Sequence, residues 1–537
     1  MELDGLRRPD WAPGQLLAFS GLDGPTDFEH GLVARTAPGA PGLELLLPGR
    51  GRVDFAASAR GPFTVASDWL TAAPPAGPVR LAWLDAHHVL LEGEGLTAQV
   101  GDGLAVRQQG QRLLVGSAAA FAPNLLQADL DQALAARQDW LRRQPLPATR
   151  SAAAHRAAAK ALAQMKGQVC TPAGQIAHRW STPDRWPHRA VWLWDSAFHA
   201  IGWRHLDAPL ARDLLLAVFD AQRDDGFVPH MIGPDRSSAI TQPPVLGLAA
   251  ALVHQVAPER GWLREIYPCL AAYVDWDLRH RDSNGDGLVE WQIEGNPHCR
   301  SGESGMDNSP RFDTATQLDA VDFNAFLAHE CEVLAAFARQ LGRAAEARRW
   351  DERHTDLCQR INARLWDDEA GLYVDYDVDR DEPSPVRASA GFLPLLCGAP
   401  SPAQARRLAA HLENADTFGA PVPLPSVALD DVAHYAPDMW RGPMWVNVNW
   451  MVAMGLARYG LSEAAAKLRQ ATCTAIEDGV ARFGTCFEYY DARAERAPSE
   501  LPRKGRCDPA NSPYHGVIHD YGWTATLYMD LVADATA

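Results

Sequence analysis

The chain has 537 residues, enough for one large domain and a smaller one. Its 47% apolar and 22% charged residues give no disorder signature, and no apolar run is long enough to cross a bilayer. A formal net charge of -17 argues against nucleic acid or an anionic membrane surface as the main partner.

The N-terminus, MELDGLRRPDW, has no basic start leading into an apolar run, so no signal peptide is read there. The nine cysteines are scattered, odd in number and without a CxxC pair, which fits a reducing compartment, and the cytoplasm is the expected location. Short apolar segments at 43–47, 79–85 and from His87 to Gly116 alternate with GRG, GPF, GEG and GDG turns. This spacing predicts an antiparallel β domain over residues 1–145.

From residue 146 to 537 the pattern is helical. Residues 150–168 are rich in helix formers. Further helices are predicted at 207–221, 265–280, 320–343, 346–365, 402–414, 447–459, 462–479 and 520–534. The loops between them are long and rich in Trp, Gly, Pro, Asp and Asn, which places function in the loops. Periodicity gives the helices but not their arrangement.

Those loops pair acids with aromatic residues, the two things that cleavage of a sugar requires: a carboxylic acid facing a carboxylate, and rigid flat surfaces with a polar edge. The chain has 18 Trp, repeatedly set beside Asp, Arg and Asn. In RAVWLWDSAFH, Asp195 follows Trp194 at a helix start, where it is either a helix cap or a site residue. Gln242 precedes two prolines and lies on a stiff extended loop. Asp307 sits in GESGMDNSPRFD, as an Asx-turn residue or as a catalytic acid. Arg441 in DMWRGPMWVNVNW is flanked by Trp440 and Trp445; it pins a carboxylate, bonds sugar hydroxyls, or is an ordinary surface residue. Glu488 in CFEYYD has aromatic neighbours on both sides, and Trp523 lies in HDYGWTA. In RDSNGDGLVEW, the oxygens of Asp282, Asn284, Asp286 and Glu290 suit a hard cation such as calcium or a plain Asx/Gly turn. The segment is not a full EF-hand loop, because Ile293 stands where a bidentate Glu is needed. Nothing resembles a phosphate loop, a nucleophile elbow or a hydrolytic metal centre.

In order, the words VWLWDSAFH, DGFVPH, QPP, ESGMDNSPR, WRGPMWVNVNW, FEYYD and YGWTA resemble glycoside hydrolase family 63, which includes processing α-glucosidase I and its bacterial relatives, and more distantly trehalase. The resemblance implies a mainly α fold, with an (α/α)6 toroid as catalytic domain and an antiparallel β-sandwich-like domain in front. It implies Asp307 as general acid and Glu488 as general base of an inverting reaction. Trp194, Asp195, Gln242, Trp440, Arg441, Trp445 and Trp523 are then sugar-binding residues. For this role the Asp307 carboxyl should be raised by burial. No cofactor is needed for the chemistry; a structural calcium ion at Asp282, Asn284, Asp286 and Glu290 is the one ion implied.

One departure from the family is the long connection between FEYYD and YGWTA. Its Arg503, Lys504, Arg506 and His515 either cover the pocket and contact an acidic aglycone or belong to a solvated loop. The reading that follows is an exo-acting inverting α-glycosidase releasing glucose from a small α-linked glucoside or oligosaccharide. The alternatives are a glucosylglycerate or mannosylglycerate hydrolase, a trehalase-like enzyme, or a carbohydrate-binding protein without turnover.

Overall fold

Strands of alternating burial build the N-terminal region. The computed structural model describes all residues except 57–58, 74–77, 297–298, 505–515 and 535–537, so Arg506 and His515 lie outside the described residues. One antiparallel sheet has seven strands, in spatial order Arg7–Arg8, Phe63–Val65, Trp69–Ala72, Val79–Asp85, His88–Glu92, Arg112–Ser117 and Leu104–Gln109. The other has five: Thr97–Val100, Gly51–Asp54, Gly42–Leu47, Val33–Thr36 and Leu16–Ala18. Leu43, Leu45 and Val53 from the smaller sheet share one core with Leu81, Trp83 and Val115 from the larger. Strands of three or four residues, such as Phe63–Val65, are too short to show a period of two. The sequence pattern accordingly reveals Thr97–Val100 and the longer strands but misses most of the short ones.

The outer face of the seven-stranded sheet is covered as well. Its Trp69, Leu90 and Leu114 pack with Leu130, Leu134 and Leu141 of α1 (Leu130–Arg143) and Leu162 of α2 (Ala152–Gln168). Asp129 and Ser151 cap these helices, each accepting a backbone N–H of the first turn. Two buried lysines of α2 complete the joint. Lys166 donates to Asp68 at 2.6 Å and pairs with Asp23 at 2.8 Å, both in the sheet region. Lys160 bonds Asp520 at 2.8 Å, and the same Asp520 oxygen accepts the Leu16 N–H at 2.7 Å.

Eleven further helices follow among the described residues: α3 (Leu193–Trp203), α4 (Ala208–Phe219), α5 (Leu246–Val256), α6 (Arg260–His280), α7 (Val321–Leu341), α8 (Ala344–Arg360), α9 (Pro394–Cys397), α10 (Pro402–His411), α11 (Val446–Arg458), α12 (Ser462–Phe483) and α13 (Gly522–Asp534). Their packing forms a cycle: α3 on α5, α5 on α7, α7 on α9, α9 on α11, α11 on α13, and α13 back on α3. The remaining large helices lie against this cycle, α4 on α3, α6 and α8 on α7, α12 on α11, and α2 on α13. Helix α5, which the sequence pattern misses, is LGLAAALVHQV. It is apolar on nearly every side because neighbours bury it, so it has no amphipathic stripe to read. Its N-terminus is met by Glu330 of α7, which accepts the Gly247 and Leu248 N–H groups at 2.7 and 2.9 Å. With thirteen helices and six sheets among the described residues, two of the sheets large and four of two or three strands, the molecule mixes α and β and sits at the border of the mainly α class expected. No helix among the described residues is long and apolar enough to cross a membrane.

Candidate active site

The loops that enter the cycle helices converge on a cavity of about 350 Å³. Eight of the nine residues picked from the sequence line it: Trp194, Asp195, Gln242, Asp307, Trp440, Trp445, Glu488 and Trp523. The ninth, Arg441, does not.

Asp195 and Trp194 stand in the first turn of α3, held by the short pairing of Val191–Trp192 with Met231–Ile232. Asp195 is not the cap of this helix; the cap position is Trp192. Its carboxyl is buried and accepts the Tyr521 hydroxyl at 3.2 Å. Burial, with Asp184 and Glu488 nearby, pushes it well above the usual carboxylate range despite that bond. Gln242 is fixed from both sides: its Oε1 accepts the Trp194 N–H at 3.4 Å and its carbonyl accepts the Tyr273 hydroxyl at 2.7 Å.

Asp307 follows a tight turn. Gly305 there has φ +69°, and a Cβ on it would stand 2.5 Å from the Trp194 ring, so both the backbone and the close approach require glycine. The Asp307 carbonyl accepts the Arg300 N–H at 2.9 Å, and its carboxylate pairs with Lys504 at 2.6 Å. Burial pushes the Asp307 carboxyl up, but Lys504, Arg503 and His230 outweigh it and hold it below the usual range. The expectation of a raised Asp307 is thus corrected: three positive or ionisable neighbours favour its anion.

Glu488 lies on an extended segment whose N–H donates to the Ile518 carbonyl at 2.9 Å. Its carboxylate takes bonds from Arg503, Nε to Oε2 at 3.0 Å and Nη2 to Oε1 at 3.2 Å. Arg441 is directed elsewhere: it makes a bidentate pair with Asp313 at 2.9 and 2.7 Å and donates to the Asn308 carbonyl at 3.2 Å. It therefore staples the Trp440 loop to the Asp307 loop and meets no cavity carboxylate. The cation on Glu488 is Arg503, from the connection that departs from the family.

The aromatic walls are packed on one another. Trp440 and Trp445 stack face to face, ring centres 3.7 Å apart and 1° from parallel. Trp523 meets Trp194 edge-on at 5.1 Å and Trp445 at 5.7 Å. The indole N–H groups of Trp192, Trp440 and Trp523 are buried without a partner among the described residues.

Sequence reasoning did not pick out Tyr521, Trp192, Arg189, Arg236 or Phe28, all of which line the cavity. Tyr521 stands inside YGWTA, but only the fold shows that it bonds Asp195. Phe28 comes from the N-terminal region, and the Arg189 guanidinium lies 4.4 Å from its ring centre; no local pattern marks such a long-range contact.

The Asp282–Glu290 loop satisfies its own oxygens. Asp282 accepts the Gly285 and Gly287 N–H groups, Asn284 accepts that of Asp286, Asp286 that of Leu288, and Glu290 that of Ser283. These are Asx-type turns. Among the described residues no group of three or more His, Cys, Asp or Glu is placed to hold a metal.

A family described as the mannosylglycerate hydrolase MGH1-like glycoside hydrolase domain matches residues 187–524. The chain is similar to mannosylglycerate hydrolase from Thermus thermophilus, 31% identical over 56% of this chain and 88% of that one. It is 25% identical to glucosylglycerate hydrolase from Mycolicibacterium hassiacum, over 58% of this chain and 88% of the relative. A crystal structure of a GH63 mannosylglycerate hydrolase from Thermus thermophilus in complex with glucose matches with a TM-score of 0.57 and 29% identity, over 69% of this chain and 98% of that one.

Proposed function

This chain belongs to the mannosylglycerate hydrolase MGH1-like family of glycoside hydrolases, and we propose that it hydrolyses an α-hexosylglycerate with inversion. The sequence pattern alone put release of glucose from a small α-linked glucoside first and glycerate glycosides second. The names of the relatives, mannosylglycerate and glucosylglycerate hydrolases, support the reverse order. The observation that carries the reading is the cavity itself, where Asp307 and Glu488 meet a Trp-lined wall and cationic side chains in one place.

In this reading the sugar enters against Trp194, Trp440, Trp445 and Trp523, and its hydroxyls meet Asp195 and Gln242. Asp307, carrying a proton, gives it to the glycosidic oxygen as the bond to the anomeric carbon breaks. Glu488 takes a proton from a water whose oxygen attacks that carbon from the opposite face. The products are the free hexose with inverted configuration and glycerate. An inverting pair needs carboxyl groups about 6.5–9.5 Å apart to leave room for the water. The cycle of six buried helices, with a second set packed on it, supports the proposal that residues 146–537 are an (α/α)6 toroid and that residues 1–145 form the sandwich in front.

The test is proton NMR of the anomeric signal in the first minutes of reaction with mannosylglycerate, glucosylglycerate, kojibiose, nigerose, maltose, isomaltose and trehalose. Fresh β-hexose from a glycerate glycoside, absent with Asp307→Asn, is the expected result. Fresh α-hexose would remove the two-carboxylate assignment. Turnover of the disaccharides alone would return the enzyme to the α-glucosidase reading.

A further inference from the structure

Consecutive residues of one connection reach both catalytic carboxylates: Arg503 bonds Glu488 and Lys504 bonds Asp307. Lys504 has φ +53°, a left-handed conformation that a non-glycine residue keeps only where its surroundings impose it. The charge balance of the cavity is unequal. Arg189, Arg236, Arg503 and Lys504 line it against three carboxylates, Asp195, Asp307 and Glu488, and burial disfavours the charged form of Asp195. The cavity is therefore short of negative charge, and its Lys504 sits on the group that must give up a proton. A ligand anion corrects both at once.

We propose that Lys504 selects substrates with a negatively charged aglycone by exchanging Asp307 for that charge when the substrate binds. This rests on the reading of Asp307 as general acid. The exchange acts through charge. With Lys504 turned to the substrate anion, Asp307 keeps its burial, loses its strongest counter-charge and takes one proton from solvent. That proton then passes to the glycosidic oxygen. A neutral aglycone leaves Lys504 in place and Asp307 ionised. The other ionisable groups facing Asp307 are Arg503 of the same connection, His230 of the loop after α4, and the Cys299 thiol of its own loop. None of them is removed by a neutral ligand. Lys504 is in this sense a specificity residue that also positions the proton.

The experiment compares a hexosylglycerate with the matching hexosylglycerol, in which CH2OH replaces the carboxylate, on wild type, Lys504→Met and Lys504→Arg. Binding of D-glycerate is followed in parallel by tryptophan fluorescence. Lys504→Met should lower the glycerate-over-glycerol preference in kcat/KM by about tenfold to a hundredfold, the value of a charge-assisted hydrogen bond. It should weaken D-glycerate by a similar factor, and Lys504→Arg should restore both. In wild type the basic limb of kcat on the glycerate substrate should lie at higher pH than that of kcat/KM, and in Lys504→Met the two should converge. An unchanged preference with unchanged D-glycerate affinity overturns the proposal, as does an equal loss on both substrates. If neither glycoside is turned over while Lys504→Met still weakens D-glycerate, the hydrolase reading falls and anion selection by Lys504 stands.

Discussion

Two lysine–aspartate pairs invite comparison, one in the joint between sheet and helices and one in the cavity. Lys166 and Asp68 are 2.6 Å apart with side chains wholly shielded from solvent. Lys504 and Asp307 are also 2.6 Å apart, yet their side chains are 19% and 21% exposed and face an open cavity. Distance alone does not separate them; access does. A sealed pair meets neither solvent nor ligand, so it fixes the joint. A pair beside a cavity exchanges partners with a ligand, so it serves chemistry.

The largest expected effect lies on the cavity side. Asp307→Asn and Glu488→Gln should each lower kcat by about 10²–10⁴-fold, the contribution of a general acid or base, with Tm little changed. A comparable fall in Tm for either would erase the distinction between the two pairs. On the joint side, Lys166→Met leaves Asp68 and Asp23 to Arg137, 3.5 and 3.1 Å away, and should cost about 3 kcal/mol of stability in denaturant unfolding, the low end for a broken buried pair. The folded fraction should keep its kcat. Arg441→Ala is intermediate, since that side chain is structural but stands one residue from a cavity wall. Loss of its bonds to Asp313 should cost about 1–3 kcal/mol and raise KM more than it lowers kcat, as Trp440 loosens.

Asp195 sharpens the comparison through pH. Its carboxyl is raised in the folded state, so the folded protein holds a proton that the unfolded chain has released. Its penalty is absent below the ordinary carboxylate range and grows as pH rises from there toward the folded value. Asp195→Asn should flatten the decline of Tm with rising pH over that window while impairing turnover; an unchanged Tm profile would show that Asp195 is ionised in the fold. The smallest effect concerns Asp282–Glu290. As that loop meets its own hydrogen bonds, calcium or EDTA should leave Tm unchanged, and a rise of several degrees with calcium would show that the loop rearranges around an ion.

The sequence made the cavity more legible than the fold. Trp194, Asp195, Gln242, Asp307 and Glu488 are visible because acids among aromatic residues in loops have few structural uses, and their order matches a known family. Arg441 was legible as a residue that pins a carboxylate, but not which one: its Trp neighbours line the cavity, while its partner, Asp313, is set by how two loops cross. Helix α5 carries no periodic stripe because its first five residues are all buried, and the contact of Phe28 with Arg189 spans regions that no local pattern links. Lys504 was visible as a charge in an unusual connection, while its partner was not.

The cycle of helices has a bearing on how the protein is made. Helix α13 packs on both α3 and α11, so the cycle cannot close until a stretch late in the sequence has been synthesised. The same stretch supplies Asp520, the counter-charge of Lys160, and the cavity residues Tyr521 and Trp523. A nascent chain paused before residue 516 holds its sheets and most of its helices, but Lys160 is unpaired and the floor of the cavity is missing. Maturation of the site should therefore be a late event in biogenesis, and stalled chains of that length are where chaperone capture is expected to concentrate.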